Sequence, residues 1–252
     1  MLGKNLPLSE LVHDPSINSI ALGPFGTVGD IHADTVIMAW TAMVLIIVGC
    51  ASVSSNLVVQ GAGGPGQAIL ESLYTFVADI AKGAIGEHRY KTYLPLLCAM
   101  FTFILGSNLL GILPFPVLEH QHLWPHMHGE HFEVAAATTD FNTTAALAGI
   151  AVLTYLVSGL MVHGGEYAKL FFIKPVAPLE WLDLIVRPST LAFRLLLVIT
   201  ADEMLRSSFL KICPVFVPTA VMGFEIFIAM VQAFVFTLLT SIYIGVAVAE
   251  HH

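Results

Sequence analysis

The chain has 252 residues, 56% of them hydrophobic and only 11% charged, with a formal net charge of −8 and a mean hydropathy of +0.82. Soluble domains carry about 25% charged residues, so this composition excludes an ordinary globular domain and points to lipid. The acidic balance, with no basic cluster, also excludes a nucleic-acid binder.

The opening stretch MLGKNLPLSELVHDPSINS lacks the charged start and apolar run of a secretory signal, so insertion is expected to rest on the spans themselves. The first span is read at Thr35 to Val53, entered through Asp30, His32 and Asp34 and left through Ser52, Ser54, Ser55 and Asn56. A Gly/Pro-rich break begins at Gly61. From Ala68 to Gly86, the apolar residues Ile69, Leu73, Phe76, Val77, Ile80 and Ala84 recur at helical spacing, with Glu71, Asp79 and Lys82 elsewhere. That is an amphipathic helix, expected on the membrane surface or against a partner.

The second span runs from Tyr93 to Leu113 and stops at Pro114 and Pro116. A polar stretch from Phe115 to Thr139 holds five histidines and three glutamates without Lys or Arg. Its histidines, His120, His122, His126, His128 and His131, match no closed zinc spacing; no metal and no cofactor is expected, and the loop reads as solvated and pH-sensitive. The third span is Thr143 to Val162, closed by Gly164 and Gly165, and a further apolar segment, Leu191 to Thr200, runs into Ala201-Asp202-Glu203. The last segment, Val215 to Ala249, has one formal charge, Glu225. As a straight helix it would measure about 52 Å, so it must break or lie well away from the membrane normal.

Lys82, Arg89 and Lys91 precede the second span and Lys169, Lys174 and Arg187 follow the third, which places the N-terminus and the His-rich loop outside. Arg206 and Lys211 fall near the opposite side. Cys50, Cys98 and Cys213 are far apart and read as small apolar residues.

A charge inside a span costs roughly 2.5 to 3.5 kcal/mol on insertion scales, so each is a functional candidate. Arg194, flanked by Leu191, Ala192, Phe193, Leu195, Leu196, Leu197 and Val198, cannot shed its proton. It needs an anionic partner, or else it snorkels to the interface. Glu203 lies nine residues on, about 180° around the helix and about 13 Å along it, so the two do not pair within the helix. Asp202 and Arg206 form an i,i+4 pair suited to a helix end. Glu225 and Gln232, seven apart, share a face and read as a polar lane for ions or as glue between helices. Asp140, with Asn142 and Thr143, reads as the N-cap of the third span, with an acid at an aqueous mouth as the second choice.

Tyr93-Leu94-Pro95 with Phe101, then Asn108 through Pro114, resembles the second-span signature of F-type ATP synthase subunit a. Pro188-Ser189 through Phe193-Arg194-Leu195, then Ala201-Asp202-Glu203, Gln232-Ala233-Phe234 and Tyr243-Ile244 are similar to its later signatures. The resemblance implies an all-α integral membrane protein in a single domain, with about five membrane-embedded helices plus one amphipathic surface helix. Its parts would be the outer segment 1–33, the first spans 34–113, the His-rich loop 114–139 and the remainder 140–252, the last two helices long and strongly tilted. It implies a proton-conducting stator subunit, not an enzyme by itself, with Arg194 and Gln232 facing a rotating ring of c subunits. Glu203 and Glu225 would line a half-channel, with Asp140 and Asp34 near the outer entrance. The implied partners are the c-ring, peripheral-stalk b-type subunits and the bilayer, in a bacterial inner membrane or a thylakoid. One departure stands out: Leu196, Leu197 and Val198 occupy the place of the family's Phe-Gly-Asn. The competing reading, a stand-alone transporter or proton channel, would call for internal repeats with broken helices, and the chain shows none.

Overall fold

In the computed structural model the described residues are 20–21, 27–28, 33–55, 57–58, 63–112, 137–163, 186–187, 189–198, 200–201, 204–205, 208 and 216–249, with 20–21, 27–28, 33–34 and 216–221 described as backbone only. The secondary structure among them is helical but for one antiparallel pair of two-residue strands, β1 (Ile20–Ala21) and β2 (Thr27–Val28), in the register Ile20↔Val28. The helices are α1 (Ala33–Ser54), α2 (Pro65–Ile85), α3 (Tyr90–Ile112), α4 (Phe141–His163) and α6 (Phe216–Val248), with a short apolar helix, α5 (Ser189–Val198), between the last two. Parts of α1, α3, α4 and α6 are long and apolar enough to cross a bilayer. The His-rich loop through residue 136, Glu203, Asp202, Arg206, Cys213 and Lys169 lie outside the described residues.

Each helix follows from its residues. Hydroxyls inside the spans would be stranded in lipid, and they bond back to their own helix: Thr41 Oγ1 donates to the Ile37 carbonyl at 2.7 Å, Thr154 to Ile150 at 2.8 Å and Ser158 to Thr154 at 2.6 Å. α2 opens with Pro65 in its first turn, where a missing N–H costs nothing. It ends at Gly86, whose φ of 97° only glycine adopts without strain and whose N–H donates to the Lys82 carbonyl. That turn reverses the chain directly into α3, which therefore starts at Tyr90, three residues before the position the apolar run suggests. Pro95 thus lies inside α3; it removes one N–H close to the helix start and the helix runs through it.

α6 is the spine, packed against α3, α2 and α4. Its 33 residues are unbroken, which removes the alternative of a broken last helix. At 1.5 Å per residue it is about 50 Å long, and keeping its 27-residue apolar part within a core of about 30 Å requires a tilt of roughly 40°. The core joins Leu97, Phe101 and Ile104 of α3 to Leu147, Ala148 and Ala151 of α4, Leu191 and Leu195 of α5, and Ala233, Phe236 and Ile244 of α6. The alanines let backbones approach where the hydrophobic effect gives little drive.

α2 does not lie free on a surface. Val77 and Ala81 are buried in the same core, and the Phe76 ring lies 5.8 Å from that of Phe101 and 5.7 Å from that of Phe234. Its expected apolar face is the docked one from Leu73 to Ala84, while Ile69 and Phe76 remain largely exposed at its edge. α1 is peripheral, packing on α3 and showing Trp40, Ile47 and Val48 outward.

Candidate functional site

α5 has two sides. Leu191, Ala192, Leu195 and Leu196 are buried; Thr190, Phe193, Arg194, Leu197 and, beyond its end, Ala201 are exposed at three- and four-residue intervals. Arg194 therefore stands on the outward side of an apolar helix, and it makes no ion pair or hydrogen bond with any described residue. Its neighbours on that side, Phe193 and Leu197, are about half exposed. In hydrocarbon such a cation demands a counter-charge from outside this chain or from residues not described. The departure from the family pattern divides the same way: Leu196 fills the core, and Leu197 adds bulk beside Arg194.

α6 presents the opposite arrangement. Glu225 and Gln232 do share a face, and it is the inner one: they are 3% and 5% exposed, in a buried stripe with Ala229, Ala233, Phe236, Thr237, Thr240, Ser241 and Ile244. The outer face carries Phe224, Phe227, Met230 and Val231. In the single chain Gln232 is thus covered, while Arg194 is exposed. Thr240 and Ser241 bond back to Phe236 and Thr237 carbonyls, whereas Gln232 Nε2 and Thr237 Oγ1 are buried with no hydrogen-bond partner among the described residues. Each such group costs about 1 to 3 kcal/mol if left dry, which marks the stripe as polar within an otherwise apolar core.

A second polar cluster joins α3 to the 3₁₀ turn Ala137–Thr139. Thr138 Oγ1 donates to Asn108 Oδ1 at 2.7 Å, both residues buried, while Asn108 Nδ2 and Ser107 Oγ are buried without a hydrogen-bond partner among the described residues. Just beyond, Asp140 Oδ1 accepts from the Asn142 N–H at 2.9 Å and its carbonyl accepts from the Thr144 N–H at 3.2 Å. Asp140 thus caps α4, as its sequence context indicates. It remains half-buried at the helix mouth. Asp34 lies in the first turn of α1, with only its backbone described, and Glu203 is not described.

The sequence reading counted Arg187 only as a marker of orientation. Its guanidinium carbon lies 5.0 Å from the ring centroid of Tyr155 on α4 and 5.0 Å from that of Tyr243 on α6. Both distances fall within cation–π range, at about 1 to 2 kcal/mol per ring when partly desolvated. Tyrosines toward one end of two spans are the only sequence signal for it. At that end too, Arg89 Nη1 donates to the Val248 carbonyl at 3.1 Å, satisfying the last turn of α6. Among the described residues no group of three or more His, Cys, Asp or Glu is placed to hold a metal.

Residues 36–245 match a family described as ATP synthase A chain. A protein named ATP synthase subunit a, from Gloeobacter violaceus, is 33% identical over 251 residues, spanning 98% of this chain and 98% of that relative.

Proposed function

The chain belongs to the family of ATP synthase subunit a, and from that premise we propose that it is the stator that carries protons to and from a rotating c-ring, with Arg194 as the ring-facing cation. Membership makes it a membrane component of the synthase; the ATP-forming chemistry resides in other subunits. The observation that carries the reading is Arg194 itself, a permanent charge held outward on an apolar helix with no counter-charge among the described residues.

The mechanism follows from that placement. A ring carboxylate arriving within about 4 to 6 Å of a fixed cation has its pKa lowered by one to three units and releases its proton. Arg194 cannot accept that proton, so it also blocks a direct path between the two sides. Protons reach and leave the ring through two offset half-channels. The inner stripe of α6, with Glu225 and Gln232, shares Ala233, Phe236 and Ile244 with the core to which Leu191 and Leu195 of α5 belong, and it lines one of them with Glu203. Asp140, Asp34 and the Asn108–Thr138 pair stand toward its outer entrance. Peripheral-stalk b-type subunits hold this chain against rotation, and the membrane is a bacterial inner membrane or a thylakoid.

The reading is tested by cysteines introduced along α5 in the assembled complex. Phe193→Cys and Leu197→Cys, on the exposed side, are expected to cross-link to cysteines on the outer helix of a c subunit, while Ala192→Cys and Leu195→Cys, on the buried side, are expected not to. Cross-linking without regard to side would contradict it.

A further inference from the structure

We propose that Arg187 is a positioning residue for Arg194: held between the rings of Tyr155 and Tyr243, it sets the depth at which α5 presents that cation to its partner. The inference rests on the reading of Arg194 as the ring-facing charge.

α5 needs such a device. Over Ser189–Val198 its inward contacts, Leu191, Ala192, Leu195 and Leu196, are apolar. Such contacts are non-directional and have little drive in lipid, so they resist separation better than they resist sliding. A guanidinium held over two rings has one best depth. The rings come from two different helices, Tyr155 of α4 being almost wholly buried, so the clamp refers α5 to both at once.

The clamp is coupled directly to the helix. Thr190 Oγ1 donates to the Arg187 carbonyl at 2.9 Å, tying its backbone to the first turn of α5, seven residues before Arg194. Midway along α5 the Phe193 ring packs 6.0 Å from that of Phe141. Phe141 and Tyr155 are fourteen residues apart on α4, about 21 Å, so the two contacts refer α5 to two well-separated points of α4. With the clamp gone, α5 keeps the Phe141–Phe193 contact and its apolar side, which resist sliding less.

The test uses the assembled complex in native membranes, with Cys50, Cys98 and Cys213 replaced. In one arm, Phe141→Cys and Phe193→Cys are bridged by a short bifunctional methanethiosulfonate, and the yield reports where α5 sits without reference to proton transport. In the other, both phenylalanines are kept and ATP-driven acidification is normalised to the amount of assembled complex. Arg187→Ala and Tyr243→Leu are expected to lower the bridging yield at least threefold and the acidification per complex at least tenfold. Tyr155→Phe and Tyr243→Phe keep the rings and are expected to retain both. Arg187→Lys, a rounder and more hydrated charge, is expected to fall between. If Arg187→Ala does not assemble, Tyr243→Leu and Arg187→Lys decide by the same criteria. Unchanged bridging, or altered bridging with unchanged acidification per complex, overturns the proposal. Arg194→Ala is measured alongside: continued pumping there sinks the reading of Arg194, whereas the bridging arm still judges the clamp.

Discussion

Gly245 of α6 meets the end of α2 so closely that a Cβ there would run directly into the Ala84 carbonyl oxygen and stand 3.0 Å from its carbon and 3.6 Å from Ile85 Cα. These are backbone atoms, with no rotamer through which to escape. Gly245→Ala must therefore push α2 and α6 apart, and overpacking of this kind costs about 1 to 3 kcal/mol. Alanine's better helix propensity returns about 1 kcal/mol, leaving a net loss of about 1 kcal/mol at the middle of that range. For a chain of this size, 1 kcal/mol corresponds to about 2 to 4 °C, so the thermal midpoint of the solubilised protein, followed by helical circular dichroism, is expected to drop by about that much. The matched control is Gly149→Ala on α4, whose added Cβ meets nothing within 4 Å and whose midpoint should hold or rise slightly. Equal behaviour of the two variants would refute the claim that α2 is docked on α6 through Gly245.

Thr138→Val removes the hydroxyl that serves Asn108 Oδ1 in a buried site, and is expected to destabilise by about 1 to 3 kcal/mol in the same assay, with Thr138→Ser close to wild type. Asp140→Ala loses the cap of α4 at about 0.5 to 2 kcal/mol, whereas Asp140→Asn keeps it. If Asp140→Asn preserves stability but slows proton flux, the carboxylate acts in the pathway; if it preserves both, Asp140 is a cap alone. The Lys82–Glu87 pair, 2.9 Å apart, holds the Glu87 carboxyl below and the Lys82 ammonium above their ordinary ranges, through their mutual hydrogen bond first and their charge attraction second. Its contribution is lost as pH falls through the depressed carboxyl range and again as it rises through the raised ammonium range. Both side chains are exposed to solvent, so Glu87→Gln at neutral pH should leave the melting curve unchanged.

The spans were legible because lipid demands uninterrupted apolar runs. Thr35 to Val53, Thr143 to Val162 and Val215 to Ala249 each fall within two residues of the observed helix ends. The facing of those spans was not. α6 is apolar on every side, so nothing in its periodicity states that Gln232 turns inward while Phe227 and Met230 turn outward. The seven-residue spacing of Glu225 and Gln232 fixed only that they share a side. α2, with charges on one face, disclosed its docked residues better. Contacts between distant segments had no local signature: Arg187 is 32 residues from Tyr155 and 56 from Tyr243, and Gly245 is 161 from Ala84. Arg194 was the strongest candidate in the sequence because a lone charge among leucines needs no periodicity to be noticed.

The most direct test of the central claim is ATP-driven proton pumping by membrane vesicles carrying Arg194→Ala, compared with wild type and with Lys82→Ala, an exposed lysine of α2. The account predicts that Arg194→Ala abolishes coupled pumping while the complex still assembles, and that Lys82→Ala pumps normally. Pumping that survives the loss of Arg194 would contradict it and return that residue to a structural role.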